Sequence, residues 1–375
     1  MSTRPVLPTE NAAEVIAEVH GHVGLITLNR PKALNALSLS MIRSLAGCLL
    51  AWREDPQVKA VAIRGNGKTG PFGAFCAGGD IRFFHQAALS GNTELEDFFT
   101  EEYALNHLIH CYPKPYIAFM DGIVMGGGMG ISQGATARIV TERTRMAMPE
   151  TNIGLFPDVG GGYFLSRCPG RNGEWLALTG EVIGAAQALE LGLADSCFEV
   201  AQLVSAWDAL PSVNFDRPGA LEQWIALFST PVAERSDQHA EQLDSHFARD
   251  SVSAIVHVLE ADQTPWAQHT AHTLRRRSPL MLHVVLAQIR RARHMTLADE
   301  LRMERDMVYH CFHPDHLIRS ERGSETLEGI RALAVDKDNA PKWEPSRIEE
   351  VRTAMVAPFF QSPWSAQLHP LRALD

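Results

Sequence analysis

Several features that mark particular protein classes are missing from this sequence. It contains no apolar run of about 18 residues, so no membrane-spanning helix is expected. None of the six cysteines forms a C-x-x-C pair, and reduced thiols in a cytosol-like compartment are expected. Residues 1–14 hold one Arg, two acids and two prolines, a composition that resembles neither a signal peptide nor an Arg-rich transit peptide. We therefore expect a cytoplasmic location rather than the mitochondrial matrix.

An excess of basic charge is also missing. The chain carries 34 Lys and Arg against 44 Asp and Glu, a net charge of −10, which argues against a nucleic-acid partner. The short basic runs at residues 275–277 and 290–293 are typical of solvated helix faces. A few local Lys and Arg are still enough to hold the phosphates of a small anionic ligand.

What is present is a pattern of strands alternating with helices, which predicts an α/β fold with parallel crossovers. Strands are predicted as a hairpin over residues 15–28 and at residues 59–64, 115–120 and 137–141, and helices at residues 38–52, 94–110 and 126–135. Strand signals become rare after about Gly184, and helical patterns dominate from residue 220 to residue 309. We expect a core over residues 1–205 and a mainly helical C-terminal region over residues 206–375 packed on it.

Two glycine-rich segments each precede a predicted helix. Residues 74–81 read AFCAGGDI and residues 121–130 read DGIVMGGGMG. Backbone amides at such turns are not covered by side chains, and the helix N-terminus adds partial positive charge. Two turns of this kind that face each other would form an oxyanion hole for a thioester carbonyl. Each turn taken alone is equally consistent with a tight turn that binds nothing.

A third segment, MPETNIGLFPDVGGG over residues 148–162, supplies two carboxylates. Glu150 and Asp158 each follow a proline, and the stretch around them is apolar. Burial disfavours the charged form of a carboxyl and raises its pKa, which suits it to proton transfer. Two acids in one pocket also push their pKa values apart. Taken alone, Glu150 is also consistent with an exposed loop acid, and Asp158 with a turn acid or helix cap.

These three segments, together with NRPKALNA at residues 29–36, resemble the crotonase (enoyl-CoA hydratase/isomerase) superfamily over roughly residues 15–200. The resemblance implies a crotonase-like spiral of repeated ββα units with an acyl-CoA pocket. It implies an oxyanion hole made by the amides of Gly79 and Gly127. It also implies contacts with the substrate or CoA at Ala77, Gly78, Asp80 and Gly126, where the Ala77 carbonyl would bind the adenine. The CoA phosphates would lie near Arg30 and Lys32. Coenzyme A would then be part of the substrate, and no other cofactor is expected.

One position distinguishes between branches of this superfamily. Typical hydratases carry one glutamate at the position of Glu150 and another three residues after the middle glycine of the triplet, where this chain has Gly130. An acid appears instead at Asp158, where typical hydratases have glycine. This run, and the tail with LEGIRA at residues 327–332 and PKW at residues 341–343, resemble the 3-hydroxyisobutyryl-CoA hydrolase branch.

The resemblance implies hydrolysis of a short β-hydroxyacyl-CoA thioester, with 3-hydroxyisobutyryl-CoA as the leading substrate and valine breakdown as the role that follows. Glu150 would attack the thioester carbonyl or activate water, while Asp158 would orient the acyl hydroxyl or the water. An enoyl-CoA hydratase or isomerase and a non-catalytic acyl-CoA-binding protein are the alternatives. Relatives are often trimers or hexamers, so a homo-oligomer is compatible with the resemblance.

Three other patterns are interpreted as structural. Residue 62 is Ala where a P-loop preceding Gly67-Lys68-Thr69 would need glycine, and residue 131 is Ile where a dinucleotide-binding motif would need its last glycine. The histidines His310, His313 and His316 are spaced by three, but Pro314 interrupts any helix, so no metal site is expected. Cys76 is interpreted as a packed residue rather than a nucleophile.

Overall fold

The computed structural model describes residues 13–232, 240–320 and 323–375. The expectation of no leader peptide rests mostly on residues 1–12, which lie outside the described residues. The strands are β1 Val15–His20, β2 Val23–Leu28, β3 Ala60–Gly67, β4 Gly70–Pro71, β5 Tyr116–Met120, β6 Ile123–Met125, β7 Ala137–Thr141, β8 Arg145–Ala147 and β9 Ser196–Phe198.

The helices fall into two groups along the chain. Among the described residues, seven α-helices precede the last strand: α1 Leu39–Glu54, α2 Ile81–Ser90, α3 Glu94–His110, α4 Gly127–Gln133, α5 Gly161–Leu165, α6 Asn172–Thr179 and α7 Ala185–Glu190. Nine α-helices follow the last strand: α8 Leu203–Ala209, α9 Ala220–Phe228, α10 Ala240–Phe247, α11 Val252–Ala261, α12 Pro265–Arg276, α13 Pro279–Ala292, α14 Leu297–Phe312, α15 Glu325–Ile330 and α16 Thr353–Val356.

The main sheet has the strand order β1-β2-β3-β5-β7-β9, with β4 paired to β3. The β1–β2 hairpin is antiparallel, while the pairs from β2 to β9 along this order are parallel. In the central register, Ala62 lies between Leu25 and Ile117, and all three side chains are buried. Continuous apolar strands are expected where helices cover both faces of a parallel sheet.

A second, smaller layer runs beside the main sheet. Strands β6 and β8 pair in parallel, and Cys76 joins this layer through a bridge to Val124. Three successive spiral turns start from β3, β5 and β7. Each passes from its main-sheet strand to the small layer and then into a helical segment. Because the small-layer segments lie side by side, the starts of the helical segments that follow them come together. This observed architecture confirms the expected spiral of ββα units.

Most predicted elements are confirmed within a few residues. Helix α1 begins where expected, with Ser38 as its N-cap accepting a hydrogen bond from the Met41 amide at 3.2 Å. Helix α4 is shorter than predicted. Strands β6, β8 and β9 were not predicted, because three residues are too few to display a period of two.

The helices after β9 confirm the predicted helical C-terminal region, while the proposed division at residue 205 stays a prediction. Helix α13 illustrates why they form: Ser278 caps it by accepting from the Met281 amide at 3.3 Å, and Pro279 occupies the first turn. Ten of its side chains are buried. One hydrophobic cluster contains residues from Ile26 in β2 to Leu371 near the C-terminus, so these helices share the core of the spiral. Within the described residues, no helix is long and apolar enough to cross a membrane.

Candidate active site

The helical segments of three successive spiral turns begin around one cavity of about 220 Å³. Seven of the predicted site residues line it: Ala77, Gly78, Gly79, Gly126, Gly127, Glu150 and Asp158. Two glycine turns thus lie in one cavity with two acids, although 71 residues of sequence separate Gly79 from Glu150. The spiral brings them together because each segment ends at the same side of the small layer.

The two glycine turns present adjacent backbone amides. Leu37 pairs with Gly79 by donating to the Gly78 carbonyl and accepting from the Asp80 amide, so the amide of Gly79 itself points away from this pairing. Gly127 is the first residue of α4, where amides have no partner within the helix. A Cβ at Gly127 would lie 3.4 Å from the Gly79 nitrogen. This arrangement fits two donors converging on one oxygen atom.

Glycine is required at these turns for close approach as well as for conformation. Gly78 has φ +104° and Gly126 has φ +48°, values in the region that side chains rarely adopt. A Cβ at Gly126 would lie 2.9 Å from Glu150 Oε1. A side chain on this turn would therefore occupy the space in which Glu150 reaches the cavity.

Glu150 begins a short 3₁₀ helix, Glu150–Ile153, directly after Pro149. Its side chain is buried, and its Oε2 atom has no hydrogen-bond partner within the part of the chain that the structure describes. Burial raises the pKa of Glu150 well above its ordinary value, and repulsion from Asp158 adds to the shift. Glu150 therefore holds its proton more tightly than an exposed glutamate does.

Asp158 is also buried but is hydrogen bonded. The Tyr103 hydroxyl on α3 donates to Asp158 Oδ2 at 2.9 Å. Burial raises the pKa of Asp158 to about 6, although the bond from Tyr103 opposes the shift because it stabilises the carboxylate. Asp158 thus titrates near neutrality and has one fixed partner.

A third carboxyl, Glu102 on α3, was missed by the sequence reasoning. It lines the cavity, and its Oε1 atom is buried without a hydrogen-bond partner among the described residues. A Cβ at Gly127 would lie 2.5 Å from this atom. The helical period did contain a signal, because it places Glu102 on the same buried face as Phe98 and Leu105.

Three buried carboxyl groups around one cavity cannot all be ionised at low cost. Burial raises the pKa of Glu102 well above its usual value, and the nearby Asp158 and Glu150 raise it further. The protons therefore belong to the group of three rather than to separate residues. The cavity thus holds carboxyl groups whose pKa values are raised, which suits it to proton transfer.

The position at which typical hydratases carry their other glutamate is closed by packing. A Cβ at Gly130 would lie 2.6 Å from the Cβ of Val159 and 2.9 Å from Asn106 Nδ2. A carboxylate side chain at residue 130 would require these neighbours to move. The cavity is therefore built around Glu150, Asp158 and Glu102 instead.

Helices α13 and α14 hold the loop that carries Asp158. Glu304 accepts hydrogen bonds from the amides of Gly160, at 2.8 Å, and Gly162, at 3.3 Å. Gln288 donates to the Pro157 carbonyl at 2.8 Å and to Glu304 at 3.2 Å. These bonds lie on both sides of Asp158 in the chain, so they fix the direction in which its side chain leaves the backbone.

The segment after Glu150 is held in a similar way. Arg277 donates to Asn152 Oδ1 at 2.6 Å, and the Thr326 hydroxyl donates to the Gly154 carbonyl at 2.7 Å. The Ser278 amide donates to the Thr151 carbonyl at 3.3 Å. All three donors come from the C-terminal helices or their junctions.

Three predicted binding residues do not line this cavity. Arg30 pairs with Glu14 at 2.9 Å and with Asp80 at 3.1 Å, and Asp80 also caps α2. Lys32 is exposed on the short 3₁₀ helix Pro31–Ala33. Their part in binding CoA phosphates stays a prediction.

The sequence interpretation also concerned a cysteine and three histidines. Cys76 is fully buried, and burial raises the pKa of its thiol to about 12, so it is a poor nucleophile. Of the three histidines, His310 and His316 have ring centroids 5.2 Å apart and both pack on Phe359, while His313 lies next to Glu96. That this group holds no metal stays a prediction.

The sequence of this chain is similar to that of a known protein family. A family model described as enoyl-CoA hydratase/isomerase matches residues 23–360. A relative from Gallus gallus, named 3-hydroxyisobutyryl-CoA hydrolase, mitochondrial, is 39% identical over 93% of this chain and 89% of its own length. The expected resemblance to the hydrolase branch is confirmed.

Two solved structures are similar over nearly the whole chain. A carnitinyl-CoA dehydratase from Mycobacterium thermoresistibile has a TM-score of 0.84 at 37% identity, covering 93% of this chain and 97% of that one. An enoyl-CoA hydratase from Rhodobacter sphaeroides 2.4.1 has a TM-score of 0.83 at 35% identity, covering 94% and 98%. These matches confirm the fold, although their names describe other reactions than that of the hydrolase.

The prediction of a cytoplasmic location is wrong on this comparison. The Gallus gallus relative and those from other vertebrates are named mitochondrial enzymes. The prediction relied on the composition of the first 14 residues, which says little about the family as a whole. The chain belongs to the enoyl-CoA hydratase/isomerase family, and within it to the acyl-CoA hydrolase branch whose curated members are named 3-hydroxyisobutyryl-CoA hydrolases.

Proposed function

We propose that this enzyme hydrolyses 3-hydroxyisobutyryl-CoA to 3-hydroxyisobutyrate and free coenzyme A. One observation carries the proposal: Glu150 and Asp158 face one cavity beside two adjacent backbone amides, while residue 130 bears no carboxyl group. The curated relatives from Gallus gallus and Danio rerio, which match 93% and 95% of this chain, carry the name of that reaction. A role in valine breakdown follows from the substrate.

The proposed reaction begins with the thioester carbonyl next to the amides of Gly79 and Gly127. Attack at this carbon transfers negative charge to the oxygen, which two preorganised donors stabilise. Glu150 acts as its carboxylate, either by attacking the carbon itself or by taking a proton from an attacking water. In both cases one water is consumed, the carbon–sulfur bond breaks, and a proton reaches the thiolate.

Asp158 and Glu102 have complementary parts in this proposal. Asp158 is held by Tyr103, and its ionised form accepts a hydrogen bond from the acyl hydroxyl or from the water. Burial and two neighbouring acids raise the pKa of Glu102 and so favour its protonated form. A protonated carboxyl beside Gly127 supplies a hydrogen-bond donor to the reacting thioester where a carboxylate would supply repulsion.

Double-bond hydration is the second candidate function. Two structures at 37% and 35% identity are named for dehydration and hydration, and Glu102 gives Glu150 a second acid in the same cavity. Hydration needs two acid/base groups around one water. We rank it below hydrolysis because Asp158, rather than a residue 130 carboxylate, completes the cavity.

The two functions are separated by measuring thiol and enoyl signals together. Purified enzyme is given 3-hydroxyisobutyryl-CoA or crotonyl-CoA, with a thiol-reactive dye and the enoyl absorbance as readouts. Thiol release from the hydroxyacyl ester alone supports hydrolysis. Loss of enoyl absorbance from crotonyl-CoA without thiol release would identify a hydratase and contradict the proposal. Glu54→Gln, at an exposed helix end, is the matched control for carboxyl substitutions.

We further propose that coenzyme A, as part of the substrate, is the only non-protein group in the reaction. Turnover that is unchanged after dialysis against a chelator would support this, and loss of turnover restored by a metal would contradict it. We also propose a homo-oligomer, on the basis of the family resemblance alone. Light scattering on the purified chain measures the subunit number directly.

A further inference from the structure

Helix α3 carries a line of polar side chains leading away from the active-site cavity. Glu102, Asn106 and His110 follow one another at intervals of four residues and therefore share one face of the helix. Glu102 lines the active-site cavity, Asn106 is buried with 3% of its surface exposed, and His110 is exposed at the end of the helix. The line thus connects the buried acids with the surface.

Asn106 and His110 line a second cavity, of about 50 Å³, behind the active site. Both polar atoms of the Asn106 side chain, Oδ1 and Nδ2, are buried without a hydrogen-bond partner within the described residues. Buried amides with neither atom paired are rare in proteins and usually bind ordered water. One water needs about 10–15 Å³ of such space, so the cavity is large enough for a short chain of waters.

Val159 separates the two cavities. It is the one described residue that lines both of them, and it lies directly after Asp158 in the chain. Its φ is +57°, a strained conformation for a β-branched residue, of the kind that persists at functional sites. Val159 is therefore the residue at which the two cavities adjoin.

The surroundings of Gly130 also relate the second cavity to the reaction. In typical hydratases the side chain at this position helps to hold the water of the reaction. Here a Cβ at Gly130 would lie 2.9 Å from Asn106 Nδ2, so the amide of Asn106 occupies the neighbourhood of the missing carboxylate. Gly130 and Asn106 both line the second cavity.

We propose that the second cavity binds water on Asn106 and supplies it to the reacting thioester past Val159. This rests on the proposed hydrolysis, which consumes one water in each turnover. The water hydroxyl replaces the thiolate on the acyl group, directly or after attack by Glu150. The carbon–sulfur bond breaks, one water proton goes to the thiolate, and the other leaves with the acid. While acyl-CoA fills the main cavity, water arrives through this second route. Asn106 is a positioning residue for water in this scheme.

The test compares an apolar replacement of Asn106 with a small polar one. Asn106→Leu has a similar volume but cannot bind water, and we expect its kcat to fall by about tenfold or more with KM within about twofold of wild type. Asn106→Ser keeps a hydroxyl and leaves room for another water, so its kcat should lie within about threefold of wild type. Equal kcat values for the Leu and Ser variants at equal melting temperatures would overturn the proposal.

A second measurement does not depend on the folding of a variant. A high-resolution crystal structure of the wild-type enzyme should show ordered water within hydrogen-bond distance of Asn106 Oδ1 and Nδ2. A cavity without such water would overturn the inference even if turnover is normal. If wild-type enzyme releases no thiol from any hydroxyacyl-CoA, the proposed hydrolysis itself fails; active wild type with an unaffected Leu variant refutes the water route alone.

Discussion

The spiral turns and the C-terminal helices contribute to the active-site cavity in different ways. Of the residues that line the cavity, all but Leu333 come from the first 159 residues of the chain. Helices α13 to α15 and their junctions supply few groups to the cavity but hold its loops from behind. Glu304 and Gln288 bond the backbone around Asp158, and Thr326 bonds the backbone after Glu150.

This difference separates the chemistry from its positioning. The reacting groups lie in short segments whose combination in one chain indicates their function, although each segment alone does not. The supporting bonds span up to 172 residues of sequence and use ordinary side chains and backbone groups. A substitution in the spiral should therefore remove a chemical step, while one in the helices should loosen the geometry on which the step depends.

The largest effect is expected for the carboxyl groups of the spiral. Glu150→Gln and Asp158→Ala should each lower kcat by about 10²–10⁴-fold, because each removes a group placed for nucleophilic or proton-transfer work. Far-UV circular dichroism should stay unchanged, since neither side chain supports the core. Steady-state thiol release measures the loss, and near-normal kcat in either variant would contradict the assigned roles.

A smaller effect is expected when the support from α14 is removed. Glu304→Ala deletes both acceptors for the amides of Gly160 and Gly162, so Asp158 should shift and kcat fall by about 10–100-fold. Leaving two buried amides unpaired should also cost about 1–3 kcal/mol each in the free energy of unfolding.

Glu304→Gln is the matched control for this change, because its amide oxygen can still accept one of the two bonds. It should recover most of the activity lost in the alanine variant. The helices would have no positioning part if the alanine variant lost stability but kept wild-type kcat and the wild-type pH profile.

A pH profile tests the acids together. Burial raises the pKa of Asp158 to about 6, so its carboxylate forms as pH rises through this value. The pKa of Glu150 is also raised, so its ionisation contributes to the same limb. We expect kcat/KM to rise with pH from 5 to above 6, with Asp158→Asn changing the shape of this limb. A flat profile between pH 5 and pH 7 would show that neither carboxylate has to ionise in that range.

The sequence predicted the parts of the site that depend on local residue types. Gly79, Gly127, Glu150 and Asp158 lie around one cavity, as the motifs implied. Glu102 was not predicted as a site residue, because a single acid on an ordinary amphipathic helix has no motif around it. Its burial depends on the packing of α3 against elements far away in the chain.

Packing between distant segments also explains what else could not be predicted. Nothing local in the sequence reveals that Arg30 pairs with Glu14 and Asp80, or that Glu304 reaches Gly160 across 144 residues. Strands β6 and β8 are defined by their pairing with each other rather than by their own three-residue sequences. Pairing of this kind becomes visible only when the fold is assembled.

The smallest effect expected is a gain in stability in Glu150→Gln, the substitution that also lowers activity. The folded-state pKa of Glu150 lies above its unfolded value, so the folded protein binds this proton more tightly, and stability declines as pH rises towards the folded pKa. Gln cannot ionise, so Glu150→Gln should raise the melting temperature by about 2 °C at pH 8 and by less at pH 5. Differential scanning calorimetry at both pH values measures this. A variant destabilised equally at both would mean that Glu150 supports the fold and that its burial carries no electrostatic cost.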